Sequence, residues 1–434
     1  MCEPKIVTEI DVNILALGSK GDGVALINGC KVFVPFSVPG ELVRVRIGEF
    51  ENGSCRGEIQ SVLIKNSDRK TPACDHFTIC GGCAVQQLKD AKYNSWKRKI
   101  IIENLRRQKI ESGCVKPLIS GHSSKRRRVR FSARRLTSGT MVGFKKFGSN
   151  QIVDLRSCPV VVDKIWMLVP KIRALLNRFL KVRDRAEIAV ILGDTELDIT
   201  ILTSEEPNLS FREAISDFAI EHDIARICWR KIKDKSSNKA EPLIQRRPVK
   251  VKYDKYLVQI PPNAFIQPTA LGEEILRKHV MHAVSGATKI IELFSGCGAF
   301  TLPLAGHGLQ VSAFDIDEEH IGSLLQAARA YGLENEITAN TRDLYRRPLI
   351  GDDFSNVDAV ILNPPRSGAG TQINHLAASN APIVVYVSCN PSSFAKDAAK
   401  LIGFGYILEE LVPVDQFLWS PHVELVAVLK RINT

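Results

Sequence analysis

Long apolar runs are missing from this chain. No stretch reaches the roughly 18 consecutive apolar residues that a membrane-spanning helix needs, which excludes a helical membrane protein. The opening residues, Met-Cys-Glu-Pro-Lys, carry no apolar leader segment, so a cytoplasmic location is expected. Internal repeats and low-complexity tracts are absent too, which excludes a solenoid or a fibrous array. An even set of cysteines is lacking: the eleven present argue against a disulfide framework and leave metal ligands, nucleophiles or buried thiols. Nor is there an acidic excess. The formal net charge is +12, and Lys125, Arg126, Arg127, Arg128, Arg130, Arg134 and Arg135 crowd into one short run. That balance points to a polyanionic partner and to phosphate contacts along the run, although a solvated basic patch would read the same way.

The 434 residues are too many for one ordinary core, and two or three domains are expected. Short alternating strands at 24–27, 31–35, 42–47 and 57–62, broken by Gly21, Gly29, Gly40 and Gly53, predict a small five-stranded OB-like barrel over residues 1–66. In size and pattern this segment resembles a TRAM domain, a small RNA-binding barrel. A cysteine-rich stretch, a helix over about 90–108 and the basic run follow. Residues 67–262 read as a mixed α+β region whose clearest element is a strand–turn–strand over 186–203. No strong motif lies between Pro159 and Pro261. In residues 263–434 apolar runs at 289–293, 311–314, 357–362, 383–387, 405–411 and 425–429 alternate with helical segments. This is the signature of an α/β, Rossmann-like, doubly wound and mostly parallel sheet.

The first of those strands ends in Glu292-Leu-Phe-Ser-Gly-Cys-Gly-Ala-Phe300. Gly296 and Gly298 permit a sharp strand-to-helix turn and close approach of a ligand. Asp315 ends the second strand, 19 residues after Gly296, where a carboxylate can hold ribose hydroxyls. Thr301 stands where the dinucleotide fingerprint requires a third glycine. A cofactor with a ribose but no pyrophosphate fits better, and S-adenosylmethionine (SAM) is the obvious one. Asp343, after the third strand, is either a contact for the adenine amino group or a surface turn residue.

Two motifs sit at the carboxyl ends of the next strands, the edge where open α/β sheets bind ligands. They are Asn363-Pro-Pro-Arg366 and Ser388-Cys-Asn-Pro391, and their tips should lie side by side. Cys389 is either a nucleophile or an inert buried thiol. As a nucleophile it suits uracil, whose C5 is not acidic: a thiolate added at C6 makes C5 a carbanion able to take a methyl group. Glu424, in His422-Val-Glu424, is the candidate base and Arg366 a candidate orienting cation. His422 reads as a packing or hydrogen-bonding residue. Cys74, Cys80 and Cys83, with Cys158 on a distant loop, suit either a [4Fe–4S] cluster or a structural zinc.

Taken together, Cys74-x5-Cys80-Gly-Gly-Cys83-Ala-Val-Gln86, Phe265-Ile-Gln267, Leu293-Phe-Ser-Gly-Cys-Gly298, Pro364-Pro-Arg366, Ser388-Cys-Asn-Pro391 and His422-Val-Glu424 resemble the RNA uracil-C5 methyltransferase family over nearly the whole chain. The resemblance implies a [4Fe–4S] cluster on Cys74, Cys80, Cys83 and Cys158. It implies SAM contacts from Gln267, Phe294, Asp315 and Asn363, with Gly296 and Asp343 beside them, Cys389 as nucleophile and Glu424 as base. Three positions depart from the family pattern: Asn363 replaces an Asp, Thr269 an Asn and Leu418 a Pro. A TRAM-like domain together with the cysteine cluster resembles the 23S ribosomal RNA enzymes more than the bacterial transfer RNA enzymes, although tRNA stays open as substrate. A monomer acting on a flipped-out uridine is expected. Two rivals stand beside this reading. One is an adenine or guanine N-methyltransferase, which Asn363-Pro-Pro suits and Arg366 does not. The other is a non-catalytic RNA-binding protein with a degenerate SAM site.

Overall fold

The computed structural model describes residues 8–121, 124–232 and 239–432; the first residues, on which the leader expectation rested, lie outside them. The N-terminal strands are Thr8–Asn13, Ala16–Leu17, Gly23–Ile27, Cys30–Val34, Leu42–Ile47 and Ser54–Ile64. They form one six-stranded sheet rather than the five strands expected, because a two-residue strand at Ala16 pairs with Val24. Alternation builds its core: Val43, Val45 and Ile47 turn inward onto Val12, Val32 and Val34, while Arg44 and Arg46 turn out.

A second sheet has seven strands, with Arg185–Leu192 and Leu197–Thr203 paired antiparallel where the strand–turn–strand was expected. Helices Val169–Phe179 and Leu209–Glu221 share its core through Ile172, Leu176, Phe211 and Ile215.

The third sheet carries the chemistry. Its strands are β1 (Lys289–Leu293), β2 (Gln310–Asp315), β3 (Ile337–Thr341), β4 (Ala359–Leu362), β5 (Ile383–Ser388), β6 (Tyr406–Val414) and β7 (Glu424–Arg431), in the order β3-β2-β1-β4-β5-β7-β6. The first five are parallel; β7 runs antiparallel to both β5 and β6. β4 is buried at every position, as a parallel strand covered on both faces must be. β3 is an edge strand with only Ile337 buried, so it shows no apolar run in the sequence. No helix among the described residues is long and apolar enough to cross a membrane.

The helix expected over 90–108 spans Asp90–Arg107. Its buried stripe, Tyr93, Trp96, Lys97, Ile100, Ile101 and Leu105, follows helical spacing. Ile101 and Leu105 join the core of the third sheet, and bridges Val115↔Leu411 and Ile119↔Val414 run the chain alongside β6.

Candidate active site

The cofactor edge is built by the turn after β1. Phe294 takes a left-handed conformation, φ 62°, as do Gly296 (56°) and Gly298 (87°). A β-carbon on Gly298 would lie 2.5 Å from the tip of Leu324, on helix Glu318–Ala330, so a larger residue there would have to displace that buried side chain and bear the left-handed backbone. A β-carbon on Gly296 would meet nothing within 4 Å; this glycine opens onto free space. The Gly296 N–H donates to Asp315 Oδ2 at 2.8 Å and the Asp317 N–H donates to Oδ1 at 3.0 Å. Burial pushes the Asp315 carboxyl up, but its bond to His320 and these two N–H groups outweigh that and hold it below the usual range. An ionised acid thus stands at the tip of β2, as ribose recognition requires. Asp343 lies on the loop after β3, its Oδ1 accepting from the N–H groups of Tyr345 and Arg346. The rings of Phe294 and Tyr345 meet at 5.8 Å. Gln267 is buried and its amide oxygen accepts from Gln416 at 3.0 Å. Asn363 donates its N–H to the Leu293 carbonyl, which sets it beside the β1 turn.

At the reaction edge the tips of β4 and β5 are adjacent, as expected, and Asn390 Nδ2 ties them by donating to the Arg366 carbonyl at 2.8 Å. The antiparallel register Ser388↔Leu425 points the next residue, Cys389, toward Glu424. Burial pushes the Cys389 thiol up to about 11; the Glu424 charge adds to this and Arg366 opposes it. Burial alone pushes Glu424 up to about 8. Arg366 reaches His422 Nδ1 at 3.0 Å rather than a carboxylate. Burial, reinforced by Arg366, Arg126 and Lys97, lowers His422 to about 4, so the ring is neutral and Nδ1 accepts.

Several residues at this site give no local signal in the sequence. Thr301, conspicuous only as a missing glycine, donates its hydroxyl to the buried Glu292, whose carboxyl burial raises to about 8. Ser295 Oγ and Gln416 Oε1 are buried without a hydrogen-bond partner among the described residues, which leaves polar atoms for a ligand. The basic run divides. Arg126 and Arg127 turn inward: Arg127 bonds the Gln267 carbonyl at 3.2 Å and pairs with Glu273 at 2.9 Å, and Arg126 lies 5.3 Å over the Phe417 ring. Arg128 is half-buried, its guanidinium 5.1 Å over the ring of the exposed Phe265. Lys125 and Arg130 remain exposed.

Cys74, Cys80, Cys83 and Cys158 are free thiols lining one cavity of about 650 Å³ with Gln86, Arg126 and Phe147. Burial raises Cys80 and Cys158, and pushes Cys83 up to about 12. As the side chains lie, no three His, Cys, Asp or Glu among the described residues are placed to hold a metal ion.

The family model for tRNA (uracil-5-)-methyltransferases matches residues 210–432. The chain belongs to this family. A TRAM domain model matches residues 5–60 of this methyltransferase. An RNA methyltransferase of Brucella suis is 33% identical over 420 residues, 97% of each chain. One from Caulobacter vibrioides is 34% identical over 97% of this chain and all of its own. The 23S rRNA (uracil(1939)-C(5))-methyltransferase of Shewanella woodyi is 27% identical over 98% of this chain and 97% of its own. Among solved structures, the tRNA (uracil-54, C5)-methyltransferase of Pyrococcus abyssi, in complex with S-adenosyl-L-homocysteine, superposes with a TM-score of 0.73 at 25% identity, covering 96% of this chain and 99% of that one. The methyltransferase is thus a SAM-dependent RNA uracil-C5 enzyme with a TRAM domain and a Rossmann-like sheet. Both rivals, the N-methyltransferase and the non-catalytic binder, give way to it.

Proposed function

We propose that this enzyme methylates C5 of a uridine in 23S rRNA through a covalent adduct between Cys389 and C6 of the base. The observation that carries the mechanism is the register Ser388↔Leu425, which brings Cys389 and Glu424 to neighbouring strand ends. The full-length likeness to the Shewanella enzyme supports the ribosomal target.

SAM fits the cofactor edge: the space over Gly296, the ionised Asp315, and the Ser295 hydroxyl and Gln416 amide oxygen, both without a partner among the described residues, suit a ribose and a zwitterionic tail. Gln267, Phe294, Gly296, Asp315, Asn363 and Asp343 would hold it, and when bound it supplies an electrophilic sulfonium methyl. Asn363 offers an amide in place of a charge, enough for a hydrogen bond. Cys389 must first lose its proton, and Arg366 favours the thiolate. The thiolate adds to C6, the C5–C6 pair moves to C5, and C5 takes the methyl, whose former bonding pair stays on the donor sulfur. Glu424 then removes the C5 proton, that C–H pair re-forms the C5–C6 double bond, and the sulfur leaves C6. Glu424→Gln should carry the reaction to the methylated adduct and stop there, while Cys389→Ala should form none; a denaturing gel with labelled RNA reads both. Mass mapping of 5-methyluridine in cells lacking the gene identifies the RNA: loss of a tRNA mark, with rRNA intact, would move the target to tRNA.

Cys74, Cys80, Cys83 and Cys158 are proposed to hold a [4Fe–4S] cluster. A single zinc needs its thiolates drawn within about 4 Å of one another. As they lie, no three of the four thiols are placed for a single ion, though all four line one cavity, and the resemblance of Cys74-x5-Cys80-Gly-Gly-Cys83 to the family's cluster motif favours the polynuclear centre. Iron and acid-labile sulfide analysis of anaerobically purified protein tests this, and stoichiometric zinc without iron would refute it.

A further inference from the structure

The loop that leads into Glu424 is held by parts of the chain far before it. Residues 415–423 join β6 to β7. Lys97, on helix Asp90–Arg107, is fully buried, and its ammonium donates to the Asp415 carboxylate, to the Phe417 carbonyl at 2.9 Å and to the His422 carbonyl at 2.7 Å. An ammonium has three donors, and all three are spent on this loop. Tyr93, one turn earlier, donates its hydroxyl to the other Asp415 oxygen and accepts the Trp419 N–H at 2.9 Å. The N–H groups of Ala84 and Val85, next to Cys83, both donate to the Trp419 carbonyl, at 2.8 and 3.2 Å. The Asp415 N–H donates to the Ile119 carbonyl at 3.0 Å.

The loop's own bonds are local. The Phe417 N–H meets the Asp415 side chain and the Ser420 hydroxyl meets the Phe417 carbonyl. They shape the loop without fixing where it sits against the β5 tip. The other reacting parts are held mainly by the sheet, and the loop meets them through two side chains. Asn390 ties the Cys389 tip to Arg366, which reaches His422 of the loop at 3.0 Å; the sheet holds Gly296 and Asp315, and Gln416 links the loop to the cofactor edge through Gln267. A buried ammonium is unfavourable unless every donor is met, so the site tolerates little else in that place.

We propose that Lys97, seconded by Tyr93, is a positioning residue for proton removal: it fixes loop 415–423 so that Glu424 faces the base held on Cys389. This rests on the reading of Cys389 as nucleophile and Glu424 as base. Displacing the loop should slow removal of the C5 proton and departure of the sulfur more than formation of the adduct.

The test uses full-length Lys97→Met and Tyr93→Phe with labelled SAM and whichever unmodified transcript, 23S rRNA or tRNA, the parent protein methylates. Turnover should fall on the order of 10²-fold for Lys97→Met and about tenfold for Tyr93→Phe, the scale of a small misplacement of a reacting group. SAM affinity by equilibrium dialysis should stay within about threefold, and the share of protein trapped as denaturation-stable adduct should rise severalfold. A general structural defect would lower adduct and turnover together, or lower SAM affinity as much as turnover; either result overturns the proposal. Should Lys97→Met fail to fold, the adduct-to-turnover ratio of Tyr93→Phe decides. Glu424→Gln runs in parallel. Adduct there, with none accumulating in the other two, removes the positioning role alone. No adduct from Glu424→Gln removes the underlying mechanism as well.

Discussion

Glu424 is a carboxyl whose burial works against its own charge, and this has two measurable faces. Its pKa is raised from 4.5 to about 8, so the folded protein holds a proton there that the unfolded chain has released between those values. The stabilisation is complete below pH 4.5 and is lost as pH rises through about 8. Glu424→Gln mimics the protonated form and escapes the loss. Its melting temperature should match the parent at acid pH and exceed it above pH 8, a gain on the order of 1–3 kcal/mol. Turnover should move the opposite way in the parent, rising with pH as the base form appears. A pH–rate profile flat across this range would contradict the base assignment.

At the scale of elements, the two glycines after β1 separate packing from ligand approach. Gly298→Ala puts a methyl against Leu324 in a left-handed conformation, and should cost about 1–3 kcal/mol as well as SAM affinity. Gly296→Ala meets open space, so it should cost only about 1 kcal/mol for its backbone while weakening SAM binding at least as much. Thermal melts with and without SAM distinguish the two. These turns were legible in the sequence because glycine, proline and a carboxylate at fixed spacing are local signals. So were the apolar strands, the helix at Asp90–Arg107 and the adjacency of the Cys389 and Arg366 tips. The short strand at Ala16 was not, and the polar edge strand β3 was placed only by Asp343 after it, without bounds, since neither buries a run of side chains. Nor was the partner of Arg366, which is set by how the loop after β6 folds back.

Across the whole molecule, what could not be read was direction. The basic run looks like one phosphate-binding surface, yet Arg127 is spent on Glu273 and the Gln267 backbone while Arg130 stays exposed beside Glu187. Arg127→Met should leave Glu273 buried and unpaired, destabilising by about 3–5 kcal/mol, with SAM affinity lost and the salt dependence of RNA binding unchanged. Arg130→Met should leave stability nearly intact and reduce the slope of log K against log salt by about 1. Filter binding over a salt series, alongside thermal melts, separates the two.

Tyr93 and Asp415 bond across 322 residues of sequence. At the usual pace of synthesis, about 5–20 residues per second, roughly 15–60 s pass between the emergence of one partner and the other. Through that interval Lys97 lacks Asp415 and Ile101 lacks the core of the third sheet, while Trp96 can already pack on Val38 and Val85. The cysteine segment meets most of its neighbours early, among residues 126–160, but Ala84 and Val85 beside it wait for Trp419. This enzyme therefore closes its active site only when loop 415–423 emerges, and until then Tyr93 and Lys97 stand open to water on a helix made long before.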